Sequence, residues 1–178
     1  HGDVIMVGGF VAFTAMNSAG LPPLVAVLLS MLVCTVLGVV IERVAYKPLR
    51  MASPLAVLIT AIGVSYFLQN LALLIFGADT KTFQSVISFE GISLAGGQLK
   101  ISGVTLVTIL ACIIIVVGLT LFIRRTKAGQ AMLAVSEDRG AAQLMGINVN
   151  GTIALTFAIG SALAAVAGEL LCSAYPSL

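Results

Sequence analysis

The sequence predicts an all-α integral membrane protein with about five transmembrane helices, a short helix in a cytoplasmic loop and a small external β-hairpin. Three observations carry this reading. The 178 residues are 60% hydrophobic and only 9% charged, where a soluble domain is about 25% charged. Four windows, 4–41, 51–78, 101–123 and 140–168, hold no Asp, Glu, Lys or Arg. Each exceeds the roughly 20 residues that an apolar helix needs to cross the hydrocarbon. A core of this apolar content is too large for one soluble domain of this size, so the solvent is lipid.

The chain reads as a single transmembrane domain over 1–178. The first apolar run, Val4 to Met16, is rich in small residues. As a helix it would rise only about 20 Å, so it is a half-helix or a full span whose start is missing. Gly20-Leu21-Pro22-Pro23 is a turn signal. The second span is 24–41. Glu42 to Ser53 then carries Arg43, Lys47 and Arg50, and Pro48 and Pro54 act as breakers.

The third span is 55–76. It holds Ser65, Tyr66, Gln69 and Asn70. Polar side chains in lipid seek partners on neighbouring helices or a wet cavity. Ser65, Gln69 and Asn70 are therefore candidates for helix contacts or for the lining of a translocation path.

Gly77 to Ser102 is a polar excursion. Within it I-S-L-A-G-G-Q-L-K-I, Ile92 to Ile101, alternates on either side of Ala95-Gly96-Gly97, which suggests a hairpin on the membrane surface. The fourth and fifth spans are 104–123 and 152–172. In the fifth, Gly160, Ala164 and Gly168 recur every four residues, a stripe that lets another helix come close. Glu169 follows, within a turn of the span's outer end, and is expected to reach the interface. No span recurs at a fixed period.

Seven of the nine basic residues lie in two loops, 42–54 and 124–151. The positive-inside rule places both loops in the cytoplasm and 17–23 and 77–102 outside. Asn150-Gly151-Thr152 matches a glycosylation pattern but falls on the cytoplasmic side, and is read as chance.

The longest charged interval contains Ser136 to Ile147, S-E-D-R-G-A-A-Q-L-M-G-I. Ser136 reads as an N-cap. Glu137 and Asp138 suit the positive end of the helix dipole. Gly146 followed by Ile147 reads as a left-handed stop. A helix over Glu137 to Met145 follows. Ala141, Ala142, Leu144 and Met145 cover an arc of about 160° on it, with Gln143 opposite. So short a helix needs something to dock on. A connector packed on its own bundle and a docking element for a partner both satisfy that pattern.

The residues exclude most chemistry. Cys34, Cys112 and Cys172 lie in or at the ends of apolar segments and lack metal-ligand or redox spacing. The one histidine is His1. There is no Ser/His/Asp or Cys/His set, and no G-x-x-x-x-G-K-[ST] phosphate loop. Nothing resembles a cleavable signal sequence.

The run A-V-S-E-D-R-G-A-A-Q-L-M-G-I-N, Ala134 to Asn148, resembles the cytoplasmic coupling segment of ABC-importer permeases. More narrowly, it is similar to that of the permease subunits of branched-chain amino acid importers. I-E-R-V-A-Y-K-P-L-R (Ile41 to Arg50), A-I-G-V-S-Y-F-L-Q-N (Ala61 to Asn70), I-R-R-T-K-A-G-Q-A-M (Ile123 to Met132) and A-L-T-F-A-I-G-S-A-L-A-A-V-A-G (Ala154 to Gly168) agree with it. His1-Gly2-Asp3 resembles part of an A-H-G-D stretch that follows an earlier helix, so the resemblance implies a permease lacking its first helix and its C-terminal part. Glu169 departs from the family pattern, which continues with apolar residues there.

The resemblance implies a transport subunit, not itself an enzyme, with ATP hydrolysis on a separate subunit. Ser136, Glu137, Asp138, Ala141, Ala142, Leu144, Met145 and Gly146 would form the ATPase-coupling helix. The implied partners are ABC ATPase subunits, a second homologous permease subunit, an external substrate-binding protein and the lipid bilayer. Nucleic acid, cofactors and metals are not expected. The implied location is the bacterial or archaeal cytoplasmic membrane. The substrates would be leucine, isoleucine, valine or similar amino acids. A related permease for urea, short amides or other small solutes is the alternative within the class. An ATP-independent carrier or channel is the alternative outside it; that class calls for ionisable residues inside the membrane, and Glu169 is the one acid near a span's interior.

Overall fold

The computed structural model describes residues 2–79, 92–94, 99–101 and 103–175. Its elements run α1 (Gly2–Ser18), α2 (Pro23–Ile41), α3 (Pro54–Phe76), β1 (Ile92–Leu94), β2 (Leu99–Ile101), α4 (Gly103–Arg125), α5 (Lys127–Glu137), α6 (Arg139–Leu144) and α7 (Val149–Ala174). The chain divides into two compact units: His1–Gln84 with Phe157–Leu178, and Ser85–Thr156.

The expected fold class needs a correction. Among the described residues four helical stretches, not five, are long and apolar enough to cross a membrane: Pro23–Leu49, Pro54–Phe76, Gly103–Arg125 and Val149–Ala174. The first helix, Gly2–Ser18, has 17 residues and falls short. Its rise of about 26 Å explains why.

In the first unit α2 does not stop at Ile41. It passes into a π-helical turn, Glu42–Tyr46, and a 3₁₀ turn, Lys47–Leu49. Pro48 sits in that last turn, and Arg50 to Ser53 closes the connection to α3. Ser53 caps α3: its hydroxyl oxygen accepts from the Ala56 N–H at 3.4 Å, with Pro54 pre-set in the first turn. Glu42 is 1% exposed and ion-paired with Arg50, so one of the basic residues of this loop neutralises the loop's own buried acid.

The core of this unit is built on small side chains. Ala26, Ser30, Cys34 and Gly38 are the buried residues of α2, spaced every four positions. Gly8, Gly9, Ala12 and Ala15 are buried on α1. On α7 the buried set includes Ser161, Ala164, Ala165, Gly168 and Cys172. Val4, Cys34, Ala164 and Ala165 form one apolar cluster. A Cβ on Gly8 would lie 2.9 Å from the Ala165 Cα, one on Gly38 would overlap the Ser161 side chain, and one on Gly168 would run into the Ile5 carbonyl. Close backbone approach of this kind is how helices associate where lipid competes for every apolar contact. Buried polar groups here bond the backbone: the Ser30 hydroxyl donates to the Gly8 carbonyl at 2.9 Å.

Of the predicted α7 stripe, Ala164 and Gly168 are buried and Gly160 is half-buried. Ser161, next to Gly160, is the side chain that packs against Gly38 of α2. Glu169 also differs from expectation. It is 4% exposed, and its Oε1 has no hydrogen-bond partner among the described residues. Ser30 and Cys34 of α2 lie against it, so it is enclosed within its own unit rather than exposed at the surface.

The second unit contains β1 and β2, α4 to α6 and the start of α7. The strands pair antiparallel, with Ile92 opposite Ile101, Ser93 opposite Lys100 and Leu94 opposite Leu99. The expected bend at Ala95-Gly96-Gly97 lies outside the described residues. Along α4, Ile109, Leu110, Ile113, Ile114, Val116 and Val117 are all exposed, an apolar surface suited to lipid.

Candidate functional site

Two places in the structure carry the residues singled out by sequence. The first is the α5–α6 segment of the second unit. Thr126 caps α5, its Oγ1 accepting from the Gly129 N–H at 3.0 Å. Gly129 is required there because a Cβ would collide with the backbone of Ile123. Helix α5 then continues through Ser136 and Glu137.

This corrects the predicted boundary. Ser136 is not the N-cap: it is helical, and its hydroxyl donates to the Leu133 carbonyl at 2.6 Å. The break comes at Asp138, whose backbone is extended (φ −150, ψ 115). Asp138 Oδ1 accepts from the N–H groups of Gly140 and Ala141 at 2.8 and 3.1 Å. In Ser-Glu-Asp both ends are good caps. The carboxylate prevails, satisfying two orphan N–H groups with one charged acceptor.

The far end matches its sequence signature. Gly146 has φ +83. The Ile147 N–H bonds the Ala142 carbonyl and the Gly146 N–H bonds the Gln143 carbonyl, each at 3.1 Å, the paired bonds of a Schellman stop. The helix between is short, Arg139–Leu144, with Met145 as its C-cap. Its apolar arc is split. Ala142 is 3% exposed, packed within its own chain, whereas Leu144 is 90% and Met145 82% exposed. Ala141 and Gln143 are exposed too. Ser136, Glu137, Asp138 and Gly146 frame the helix from an exposed position rather than bury in it.

The second place is a cavity of about 290 Å³ in the first unit. Its polar lining is Asp3, Tyr46, Ser65 and Ser161. Ile41, Val64, Leu68 and Phe157 supply apolar wall. Gln69 Nε2 donates to Asp3 Oδ1 at 3.1 Å and to Ser65 Oγ at 3.3 Å, so α3 and α1 are joined through a carboxylate. Ser65 and Gln69 therefore come together, as their i, i+4 spacing allows. Asn70 does not join them: its amide donates to the Tyr66 carbonyl of its own helix at 2.7 Å. Tyr46 and Phe157 pack with ring centroids 5.4 Å apart.

Sequence reasoning missed Asp3 and Tyr46. Asp3 stands at the start of an apolar run and reads as a boundary residue. The signal that could have found it is that an acid beside a membrane helix needs a polar partner, and Gln69 is among the few on offer.

A sequence model of the family "Branched-chain amino acid transport system / permease component" matches residues 1–177. The chain belongs to this family. It is 40% identical over 188 residues to the high-affinity branched-chain amino acid transport system permease protein BraD of Pseudomonas aeruginosa, covering 96% of this chain and 59% of BraD. It is 40% identical over 184 residues to the permease protein LivH of Escherichia coli, again covering 96% of this chain and 59% of the relative. To the probable branched-chain amino acid transport permease protein LivH of Methanocaldococcus jannaschii it is 29% identical over 178 residues, 96% of this chain and 55% of that one. The chain thus spans about three-fifths of the length of BraD and of E. coli LivH. No solved structure matches it. The family and the four apolar helices together mark the chain as part of a multi-pass membrane protein.

Proposed function

We propose that this chain is part of the membrane-spanning subunit of an ATP-driven importer for leucine, isoleucine, valine or similar amino acids. ATP is hydrolysed by separate ABC subunits, a second permease completes the pathway, and an external binding protein delivers substrate. The family and its named relatives support the substrate class. The distribution of basic residues supports cytoplasmic placement of 42–54 and 124–151.

One observation carries the coupling assignment. Helix α6 is fixed at both ends, by the Asp138 cap and the Gly146 stop, yet leaves Leu144 and Met145 bare. A connector resting on its own bundle would bury those side chains. A rigid helix with exposed apolar residues in a cytoplasmic loop is suited to a cleft in an ATPase. Closure of the ATPases would push α6, and α5, braced against α4 at Gly129, would pass that motion to the spans. Coupling of this kind needs a two-state element biased from a distant site, and the permease bundle is that element.

Co-purification tests the assignment. Tagged permease should bring down ABC ATPase chains from membranes in defined stoichiometry. Permease recovered without them under conditions that keep other importers intact would refute it.

A further inference from the structure

The cavity of the first unit holds a half-buried carboxylate, Asp3, with no Lys or Arg side chain paired to it among the described residues. Asp3 is level with Ser65 and Gln69, near the middle of the 23-residue α3. An acid at that depth is costly unless paired, and marks a substrate or ion route by default. Ser65 and Gln69 hydrogen-bond it, which leaves acceptor capacity on a carboxylate with about four lone-pair sites. Among the described residues no Lys or Arg side chain pairs with it; the ion pair there is Arg50 with Glu42.

The rest of the lining fits one ligand chemistry. Val64, Leu68, Ile41 and Phe157 make an apolar wall facing the same space as Asp3. The ring of Tyr46 adds an aromatic face, which also attracts cations. The volume of about 290 Å³ is near the lower end of small-molecule pockets. Tyr46 belongs to a π-helical turn, a local departure that occurs often at functional sites.

Resting on the importer reading above, we infer that Asp3 is the counter-ion for the α-ammonium group of the amino acid in transit, with Val64, Leu68 and Phe157 holding its branched side chain. The hydroxyls of Tyr46 and Ser161 offer donors to the other end of the zwitterion. This is a binding step with no covalent chemistry.

The test uses the complete importer in liposomes: the permease containing this chain, its ATPases and its binding protein. Asp3→Asn keeps an amide oxygen for Gln69 but removes the charge. Leucine taken up per ATP hydrolysed should fall at least tenfold, in an importer that still assembles with all its subunits. Asp3→Glu should recover most of the loss. Unchanged uptake per ATP in Asp3→Asn overturns the proposal.

A second measurement does not depend on any Asp3 variant folding. In the importer bearing Val64→Cys and Cys112→Ser, isopentylamine, which has the ammonium but no carboxylate, should slow maleimide labelling at position 64 several-fold. 4-Methylpentanoate, which has the carboxylate but no ammonium, should not. Equal protection by both, or by neither, overturns the proposal. Wild-type importer that hydrolyses ATP yet accumulates no branched-chain amino acid defeats the importer reading itself and this site with it.

Discussion

The Gln69 side-chain amide donates to the Asp3 carboxylate across 66 positions of sequence, at 3.1 Å. That contact ties the first helix to the third and places one wall of a cavity. It also shows how a polar side chain among these helices can find its partner on a neighbouring helix, because lipid offers none.

The α6 helix gives the sharpest mutational prediction. Ala141 is exposed, so Ala141→Asp should leave the fold and abundance of the permease intact. Inside an ATPase cleft the same carboxylate would be desolvated and unpaired, which is costly. Recovery of the ATPase with the permease should fall at least tenfold, and amino acid uptake with it. Gly146→Val should act in the same direction, since a β-branched residue at φ +83 is strained. Gln143→Ala, opposite the apolar arc, is the control. A fully intact complex with Ala141→Asp would mean that α6 is only a connector.

The small-residue contacts make a second prediction. At Gly168 the atom in the way is the backbone carbonyl of Ile5, which cannot rotate aside. Gly168→Ala should cost about 1–3 kcal/mol by overpacking. Ala164→Leu, at a buried position of the same helix, should cost at least as much. Both are read as a lower melting temperature in detergent. No shift in either variant would place this face of α7 toward lipid.

The ion pair between Arg50 and Glu42 makes a third. Glu42 is 1% exposed and the Arg50 side chain 15%. Arg50→Ala leaves a buried carboxylate without its cation and should cost about 3–5 kcal/mol. Arg50→Ala combined with Glu42→Gln should cost distinctly less, because no charge is then stranded. Double-mutant thermal unfolding measures the difference. Equal losses in single and double variants would show that the pair is not coupled.

Orientation makes a fourth. A single cysteine at Ser93 should react with an impermeant maleimide added outside intact cells, and one at Gln130 only after permeabilisation. The opposite pattern would invert the proposed topology.

Much of this fold is legible in the sequence because lipid imposes simple rules. The charge-free windows enclose the helices Pro23–Ile41 and Pro54–Phe76, and all but the last two residues of Gly103–Arg125. The left-handed stop at Gly146 is legible because few residues but glycine fit φ +83 there. The start of α6 is not, because Ser136 and Asp138 are both good caps and only three-dimensional geometry decides between them. The burial of Glu169 is hidden for a different reason: depth along a helix says nothing about which neighbour covers it. The small residues of α2 at 26, 30, 34 and 38 repeat as regularly as those of α7. Four leucines, Leu24, Leu28, Leu29 and Leu32, dominate the same stretch but lie exposed, and they mask the stripe. Asp3 is obscured because its partners, Ser65 and Gln69, lie far along the chain.

The most direct test of the central claim is transport by the purified importer in liposomes, with ATP supplied on the ATPase side and labelled leucine and urea offered with the binding protein. The account predicts that leucine accumulates against its gradient only when ATP, binding protein and this permease are all present, and that urea does not accumulate. Leucine entry that proceeds without ATP, or accumulation of urea in place of leucine, would contradict it.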